Sequence, residues 1–474
     1  MKIAIAAAFA LFSAWAIPSA AADRPNIVVI MTDDQDDQGS IELMPEVQRL
    51  LVERGVRFTN SFVDTSLCCP SRTTLFTGQS AINHGVRTNS LPDGGYYAFQ
   101  PREENSLGVW LQRAGYRTAL MGKVLNKYGN EDPTHVMPGW DEWRAILRPF
   151  EAYFSNRMNV NGVVVQLGPD EYITDVIASR AVTFIERQEG TLKPFFLLLT
   201  PPAPHNAGGG GLPPVPPPRH DGAMAGKEAP LSPNFNEPDV EDKPSPIRSL
   251  PQLNAGEIAA TSLRRQKRAE SLLAVDDMVR RVVAALRRTG AIDNTVIVFT
   301  SDNGFALGAH RWDSKLVPYE ESIRVPLVIR GPGIPENETR SQLVNNIDLS
   351  ATIMGLAGVL SGNIIDGRSL APVLADDATP WRTVLGIHGF NEGMVFHGAR
   401  SSSAMFAQYV TECCGIEEEF YELLSDPYQL TNRAADPLCS AAVTAMRQAA
   451  TRLAMCSGVT CWLDQPVPVC DQPG

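Results

Sequence analysis

The stretch Cys68-Cys69-Pro70-Ser71-Arg72, running on into Thr73-Thr74-Leu75-Phe76-Thr77-Gly78, sets a thiol at the start of a candidate helix and a guanidinium one turn later. Free N–H groups and the positive dipole end of a helix stabilise an anion there, and Arg72 adds a fixed positive charge. Taken alone, the stretch reads equally as a buried thiol or as half of a disulfide. Two acidic pairs widen the chemistry. Asp33-Asp34 follows the apolar run Asn26–Thr32, and Asp302-Asn303 follows a second apolar run over residues 295–300. Oxygen-only donors of this kind suit a hard divalent cation, Ca2+ or Mg2+, although each pair by itself also reads as a solvated turn. Lys123 after Gly122, His205 in Ala203-Pro204-His205, His310 in Gly308-Ala309-His310-Arg311, and Lys315 ahead of Tyr319-Glu320 are candidate anion ligands and proton carriers. Any one of them alone is as easily a structural or surface residue. As a set they describe an anion pocket around a nucleophile and a cation.

Such groups act together only if the chain brings them to one place. Residues 26–32, 117–121, 195–200, 295–300 and 325–330 are apolar runs of the kind that form strands buried on both faces. Helical patterns lie between them, over residues 45–54 (Pro45 near the start, Gly55 at the end), 106–114, 171–188 and 256–288. Alternating strands and helices predict an α/β fold with a mostly parallel central sheet covered by helices. Ligands of such sheets bind beyond the carboxyl ends of the strands, where Asp33-Asp34, Lys123, His205 and Asp302-Asn303 all fall. Residues 201–251, with Gly208-Gly209-Gly210-Gly211 and a proline-rich run over 213–218, read as a long surface loop inside one domain. The loop begins at His205 and so is expected to border the site. Beyond residue 380 the pattern changes to short strands over 383–388, 394–397 and 406–411 and a helix over 441–454, a small α+β unit. The expected organisation is a leader over 1–22, a catalytic domain over 23–379 and a C-terminal subdomain over 380–474, without internal repeats.

Composition bounds the partners. The 474 residues are 44% hydrophobic and 20% charged, with a net charge of −12. This argues against a general nucleic-acid or anionic-membrane binder, yet leaves room for an anionic substrate in a locally positive pocket. Lys2, an apolar stretch over 3–17 and Ala20-Ala21-Ala22 before Asp23 have the form of a signal peptide. The remaining chain holds no apolar run of the ~18 residues that span a bilayer. The expectation is an exported protein, secreted or periplasmic (lysosomal in a eukaryote), with no membrane span after signal removal. Export permits disulfides. Six of the eight cysteines, Cys413, Cys414, Cys439, Cys456, Cys461 and Cys470, lie in the last part of the chain. Their spacing does not choose a pairing, and nearby histidines for a zinc site are absent.

The ordered set of motifs resembles the type I sulfatases, whose first motif cysteine is oxidised to formylglycine. Thr32-Asp33-Asp34-Gln35-Asp36, the Cys68–Arg72 motif, Gly122-Lys123-Val124-Leu125-Asn126-Lys127-Tyr128-Gly129, Pro204-His205 and Ser301-Asp302-Asn303-Gly304 occur in the family order. Lys315 to Glu320, Arg324-Val325-Pro326, Arg330-Gly331-Pro332-Gly333 and Glu419-Phe420-Tyr421-Glu422-Leu423 with Asp426-Pro427 continue it, so the likeness runs from about Pro25 to Asn432. It is strongest toward N-acetylglucosamine-6-sulfatases and related glycosaminoglycan sulfatases. The resemblance implies an alkaline-phosphatase-like fold and hydrolysis of sulfate monoesters on a sulfated small molecule, sugar or polysaccharide. It implies Cys68 modified to 3-oxoalanine by a formylglycine-generating enzyme, and one divalent cation, Ca2+ more than Mg2+, held by Asp33, Asp34, Cys68, Asp302 and Asn303. Hydration of the aldehyde gives two hydroxyls, one to attack sulfur and one to expel sulfate. Arg72, Lys123 and Lys315 then offset charge on the sulfate, and His205 or His310 protonates the leaving alcohol. The chain departs from the family's Gly-Lys-x-His pattern: Leu125 stands in the histidine's place, followed by Asn126, a candidate sulfate contact. A formylglycine phosphonate monoester or phosphodiester hydrolase and a non-catalytic glycan-binding relative are the alternatives.

Overall fold

The computed structural model describes residues 24–150, 152–226, 231–391 and 394–471, so the expected leader lies outside the described residues. Ten strands form one sheet, in the order Glu338–Arg340, Val56–Phe58, Leu327–Arg330, Thr295–Ser301, Asn26–Thr32, Phe195–Thr200, Arg117–Gly122, Glu142–Ile146, Arg157–Val160 and Val163–Gln166. The five strands from Thr295–Ser301 to Glu142–Ile146 run parallel. Their apolar runs are buried on both faces, and the pleat divides them. Ile27, Val29 and Met31 point into one core with Phe196, Leu198, Val296 and Val298. Val28 and Ile30 point into the other with Leu197, Leu199, Ile297 and Phe299. Each such side chain contributes about 1.5–3 kcal/mol on burial, enough in sum to hold the strand ends in fixed register.

Helix Ile173–Glu186 and the long helix Ala255–Arg288 cover one face. The long helix starts on a capping box, in which Asn254 accepts from the backbone of Gly256 and Glu257 while Glu257 reaches back to Asn254 N–H. Helices Cys68–Thr77, Leu107–Arg113 and Ile347–Ala357 lie on the other face. The run expected over residues 325–330 is a strand, Leu327–Arg330, but it runs antiparallel to Thr295–Ser301. The chain between them goes into a hairpin, Ala306–Ala309 with Trp312–Ser314, and a one-turn helix, Glu320–Ile323. No long crossover helix intervenes to return it parallel.

The loop over 201–251 differs from a simple surface loop. Asn234, Glu237, Val240, Lys243 and Ile247 are buried, because the polar ones among them find internal partners. At the C-terminal end, four antiparallel strands, Val384–Asn391, Met394–Ser401, Ala404–Thr411 and Gly415–Glu422, pack against helix Ser440–Leu453. The cysteines there pair as Cys413–Cys414, Cys439–Cys470 and Cys456–Cys461, whereas Cys68 and Cys69 are free and buried. Among the described residues no helix is long and apolar enough to cross a membrane.

Candidate active site

The parallel strands end level with one another: Thr32 stands opposite Ser301, and Gly122 opposite Thr200. Backbone bonds continue just past these ends, from Asp302 N to Thr32 O (3.1 Å), Lys123 N to Thr200 O (2.9 Å) and Asp33 N to Ala203 O (3.2 Å). Asp34 turns through a left-handed conformation (φ 71°), which aspartate tolerates better than most residues. At Gly122 only glycine fits: φ is 127°, and a Cβ would meet Thr200 O at 2.1 Å. This close approach carries Lys123 toward Asp33. Helix Cys68–Thr77 is buried along its whole length and begins at Cys68. Its first turn is capped from outside, with Cys69 N donating to Asn89 Oδ1 at 3.0 Å.

Around Cys68 Sγ the side chains converge. Lys315 Nζ lies 2.9 Å away, Asp33 Oδ1 3.6 Å and Asp34 Oδ1 4.0 Å. Lys315 also donates to Asp34 Oδ1. Lys123 Nζ donates to Asp33 Oδ2 at 2.5 Å and lies 4.4 Å from the centre of the Phe150 ring. Arg72 donates through Nε to Asp302 Oδ2 (2.7 Å) and through Nη1 to Lys123 O (2.9 Å). Asp302 Oδ1 accepts from Asp34 N at 3.0 Å, and Asn303 Nδ2 donates to Asp34 Oδ1 at 2.7 Å. His205 Nε2 lies 3.7 Å from Asp34 Oδ2, while its Nδ1 stands 2.6 Å from Asn206 O. A carbonyl only accepts, so Nδ1 carries the proton and Nε2 is the nitrogen that faces the cluster.

Three carboxylates, Asp33, Asp34 and Asp302, are thus buried against three cations, Arg72, Lys123 and Lys315. Burial pushes Asp33 up, but Lys123, His205, Arg72 and Lys315 outweigh it and hold the group well below the usual carboxylate range. Asp34 is likewise held down, burial being outweighed chiefly by Lys315 and His205. Asp302 goes the other way, raised by burial and by the charge on Asp33. Burial pushes the Cys68 thiol up to about 12, against the pull of Lys123 and Lys315. As encoded, Cys68 is a neutral thiol and a poor nucleophile at neutral pH. Two buried polar atoms in the cluster, Arg72 Nη2 and Asn303 Oδ1, and Asn126 Oδ1, next to it in the chain from Lys123, have no hydrogen-bond partner among the described residues. A buried donor or acceptor without a hydrogen bond calls for a partner, which a ligand, an ion or a water can supply.

The sulfatase family model matches residues 25–359, and an N-sulphoglucosamine sulphohydrolase C-terminal model matches residues 308–455. The chain belongs to the sulfatase family. This sulfatase chain is 32% identical to human N-acetylglucosamine-6-sulfatase over 485 residues, which cover 92% of the chain and 86% of that relative. An extracellular sulfatase SULF-1 homologue of Drosophila melanogaster is 35% identical over 363 residues, covering 75% of the chain. The chain spans only part of such extracellular relatives, 49% of one and 32% of the other. A solved structure, BT4656 in complex with its substrate D-glucosamine-2-N,6-O-disulfate, superposes with a TM-score of 0.77 at 25% identity. It covers 90% of this chain, and this chain covers 96% of it. The fold is therefore alkaline-phosphatase-like, with a small antiparallel C-terminal subdomain.

Within this sulfatase frame the structure brings Asp33, Asp34, Cys68, Arg72, Lys123, His205, Asp302, Asn303 and Lys315 into one cluster. Asn126 lies beneath it, its N–H donating to Cys69 Sγ at 3.1 Å. His310 is engaged elsewhere. Its Nδ1 meets Glu237 Oε2 at 2.6 Å, its Nε2 meets Asn234 Nδ2 at 3.1 Å, and its ring stacks 4.0 Å from Tyr319. Sequence reasoning missed Arg268, which donates to Asp34 O and, at 3.2 Å, to Pro204 O. A signal was available: Arg268 shares a helix face with the buried Leu272, Val275 and Val279, so an arginine stood where the pattern calls for an apolar residue. Phe150 under Lys123 and Tyr153, whose hydroxyl donates to His205 O at 2.6 Å, carried no such signal.

Proposed function

We propose that the chain hydrolyses sulfate monoesters of a sulfated sugar or glycosaminoglycan, using a nucleophile made from Cys68 and one divalent cation, Ca2+ ahead of Mg2+. The observation that carries this reading is the buried cluster around Cys68, in which three carboxylates are balanced by three side-chain cations. The donor set fits a hard cation. Asp33, Asp34, Cys68 and His205 present ligand atoms within 4.8 Å of one another, and Asn303 Oδ1 is a spare amide oxygen beside them. Asp33, Asp34, Asp302 and Asn303 hold the ion in this reading. When bound, it makes a hydroxyl at position 68 more nucleophilic and offsets charge on a sulfate oxygen. Three carboxylates and three side-chain cations cancel, so a divalent ion leaves the pocket positive toward an anionic group.

The chain's own residues supply the rest. A formylglycine-generating enzyme oxidises Cys68 by two electrons with dioxygen as acceptor, the C–S bond breaking and the sulfur leaving as sulfide. Hydration of the aldehyde then gives the side chain two hydroxyls, one to attack sulfur and one to release sulfate. Lys315 and Lys123 flank the position and oppose the charge that grows on the sulfate oxygens. Arg72 ties Asp302 to the Lys123 backbone, and its Nη2, which makes no hydrogen bond, lies 3.8 Å from Asp33 Oδ2. His205, whose Nδ1–H is held by Asn206 O, takes up a proton at Nε2, the nitrogen that faces the cluster, and passes it to the leaving alcohol. His310, with both ring nitrogens engaged, positions rather than reacts. The choice of a sulfated amino sugar rests on the names of the relatives and on the sugar bound in BT4656. The reading also takes the protein as exported, in keeping with its extracellular relatives.

Two measurements test it together: mass spectrometry of the peptide containing Cys68, and turnover of 4-nitrophenyl sulfate beside bis(4-nitrophenyl) phosphate. The expected outcome is formylglycine at position 68 and faster release from the sulfate. An unmodified thiol in active protein overturns the nucleophile, and preference for the phosphodiester makes the chain a phosphodiester or phosphonate hydrolase instead. Glycan binding without sulfate release makes it a binding protein.

A further inference from the structure

Of the six C-terminal cysteines, four are sealed: Cys439, Cys456, Cys461 and Cys470 are at most 7% exposed in their disulfides. Cys413 and Cys414 are exposed. With Glu412 they form the turn between strands Ala404–Thr411 and Gly415–Glu422, closed by the pairing of Thr411 with Gly415. Gly415 has φ 76°, the left-handed conformation that ends such three-residue hairpin loops. The turn therefore presents two sulfurs to solvent at the end of the C-terminal sheet.

A third donor stands beside them. Glu417 lies on the strand that follows the turn, and a carboxylate oxygen of Glu417 and both sulfurs lie within 4.8 Å of one another. The carboxylate is held in place: it accepts from Ser245 N (3.1 Å), from the Ser245 hydroxyl, from Thr411 Oγ1 (3.1 Å) and from Arg248 Nη2 (3.2 Å). Cys413 Sγ itself lies 3.2 Å from Ser245 Oγ. Two thiolates and a carboxylate are donors that Zn2+ accepts in its tetrahedral sites, with the fourth place left to water or to the Ser245 hydroxyl. Glu417 thus supplies the third ligand that the sequence around these cysteines lacks in histidine.

The geometry points to Cys413, Cys414 and Glu417 as a second metal site, which takes Zn2+ when the cysteine pair is reduced. A small dithiol opens it. One thiolate of the reductant attacks a sulfur of the pair, the S–S bond breaks, and the second thiolate closes the reductant's own disulfide. Two electrons pass to the pair and leave thiols at Cys413 and Cys414; Zn2+ then displaces one proton from each. Attack needs access, so the exposed pair opens before the two sealed disulfides. The ion sits where helix Ser245–Arg248 of the long loop docks on the C-terminal sheet.

The full chain is treated with limiting dithiothreitol and desalted without air. One portion is alkylated for mass spectrometry, and another is titrated with Zn2+ against a chromophoric chelator. Label is expected on Cys413 and Cys414 and not on the other four C-terminal cysteines. The reduced protein should bind about one Zn2+ more per molecule than the oxidised protein. Any ion at the strand-end cluster is common to both samples and drops out of the difference. Cys414→Ser is expected to lose the extra ion, and Glu417→Gln to weaken it by at least about tenfold. Cd2+ on the native reduced protein should add a thiolate-to-metal charge-transfer band that the oxidised protein lacks, a reading that needs no variant. Equal uptake before and after reduction overturns the site. So does extra Zn2+ that survives Cys414→Ser, an unchanged affinity in Glu417→Gln, the absence of the Cd2+ band, or reduction that opens the sealed disulfides first.

Discussion

Two buried carboxylate clusters in this molecule look alike by exposure and differ in what they leave open. At the strand ends, Asp33, Asp34 and Asp302 meet Arg72, Lys123 and Lys315, yet Arg72 Nη2, Asn126 Oδ1 and Asn303 Oδ1 remain without hydrogen-bond partners among the described residues. Under the C-terminal sheet, Glu419 is just as buried, but Tyr319 (3.0 Å), Tyr421 (2.8 Å) and Tyr409 all donate to it. None of these four side chains has an orphaned polar atom among the described residues. The second cluster is closed. It ties strand Gly415–Glu422 to Tyr319, on the segment that leads from Lys315 to helix Glu320–Ile323. Burial of charge therefore does not by itself mark a site.

The contrast is most sharply tested at position 68. Cys68→Ala is expected to lower kcat/KM by at least about 10⁴-fold, because residues that act as a unit fail together. Its melting temperature should stay close to that of the native protein, and sulfate release at the native rate contradicts the assignment. Lys315→Met comes next, with a loss of about 10²–10³-fold in kcat, the range for removing one charge-stabilising donor. Asp302→Ala is expected to empty the cation site, as read by elemental analysis; full cation content in the variant removes Asp302 from the ligand set.

The closed cluster should respond in stability rather than in rate. Glu419→Ala strands three tyrosine hydroxyls, each at about 1–3 kcal/mol, so a loss of about 3 kcal/mol or more in unfolding free energy is expected. Denaturant titration reads this, and turnover per folded molecule should hold. A variant that keeps its stability and loses its rate would move Glu419 from scaffold to site.

The smallest effect is in pH. Burial holds His388 at about 4 and His84 at about 3, against an ordinary 6.5. The unfolded chain takes up these protons as pH falls below 6.5 while the folded chain does not, so stability drops from pH 6.5 toward 4. Asp64, raised by burial to about 6, has the opposite sign. Its contribution is full below 3.8 and is lost as pH rises toward 6, which partly offsets the histidines in that window. His388→Asn should flatten the slope of melting temperature against pH between 4 and 6.5; an unchanged slope says that His388 does not titrate on unfolding.

Much of the frame was legible from residue types in order. The strands Asn26–Thr32 and Phe195–Thr200 lie where their apolar runs stand, since a run buried on both faces has few other outcomes. The strands Glu142–Ile146, Arg157–Val160 and Gly415–Glu422 did not stand out. They carry charged or polar residues, such as Glu142, Asn159 and Glu417 to Glu419, whose partners come from elsewhere in the chain. Likewise Val163–Gln166, with all four residues exposed to solvent at the sheet edge, owes its existence to pairing rather than to burial.

The amino-acid order alone carried the chemistry: the thiol before Pro70, the two acidic pairs and the lysines beyond apolar runs. These are local facts, because a strand end and a helix start are written within a few residues of the groups they present. What the order could not say is which candidate groups meet. His205 and His310 have the same standing in sequence, and only packing separates them: His205 faces Asp34 across 3.7 Å, while His310 is held between Glu237 and Asn234 of the long loop. Arg268 reaches Asp34 from a helix more than two hundred residues along the chain. Such contacts depend on how distant elements pack, and that is decided by the summed burial of two cores rather than by any motif.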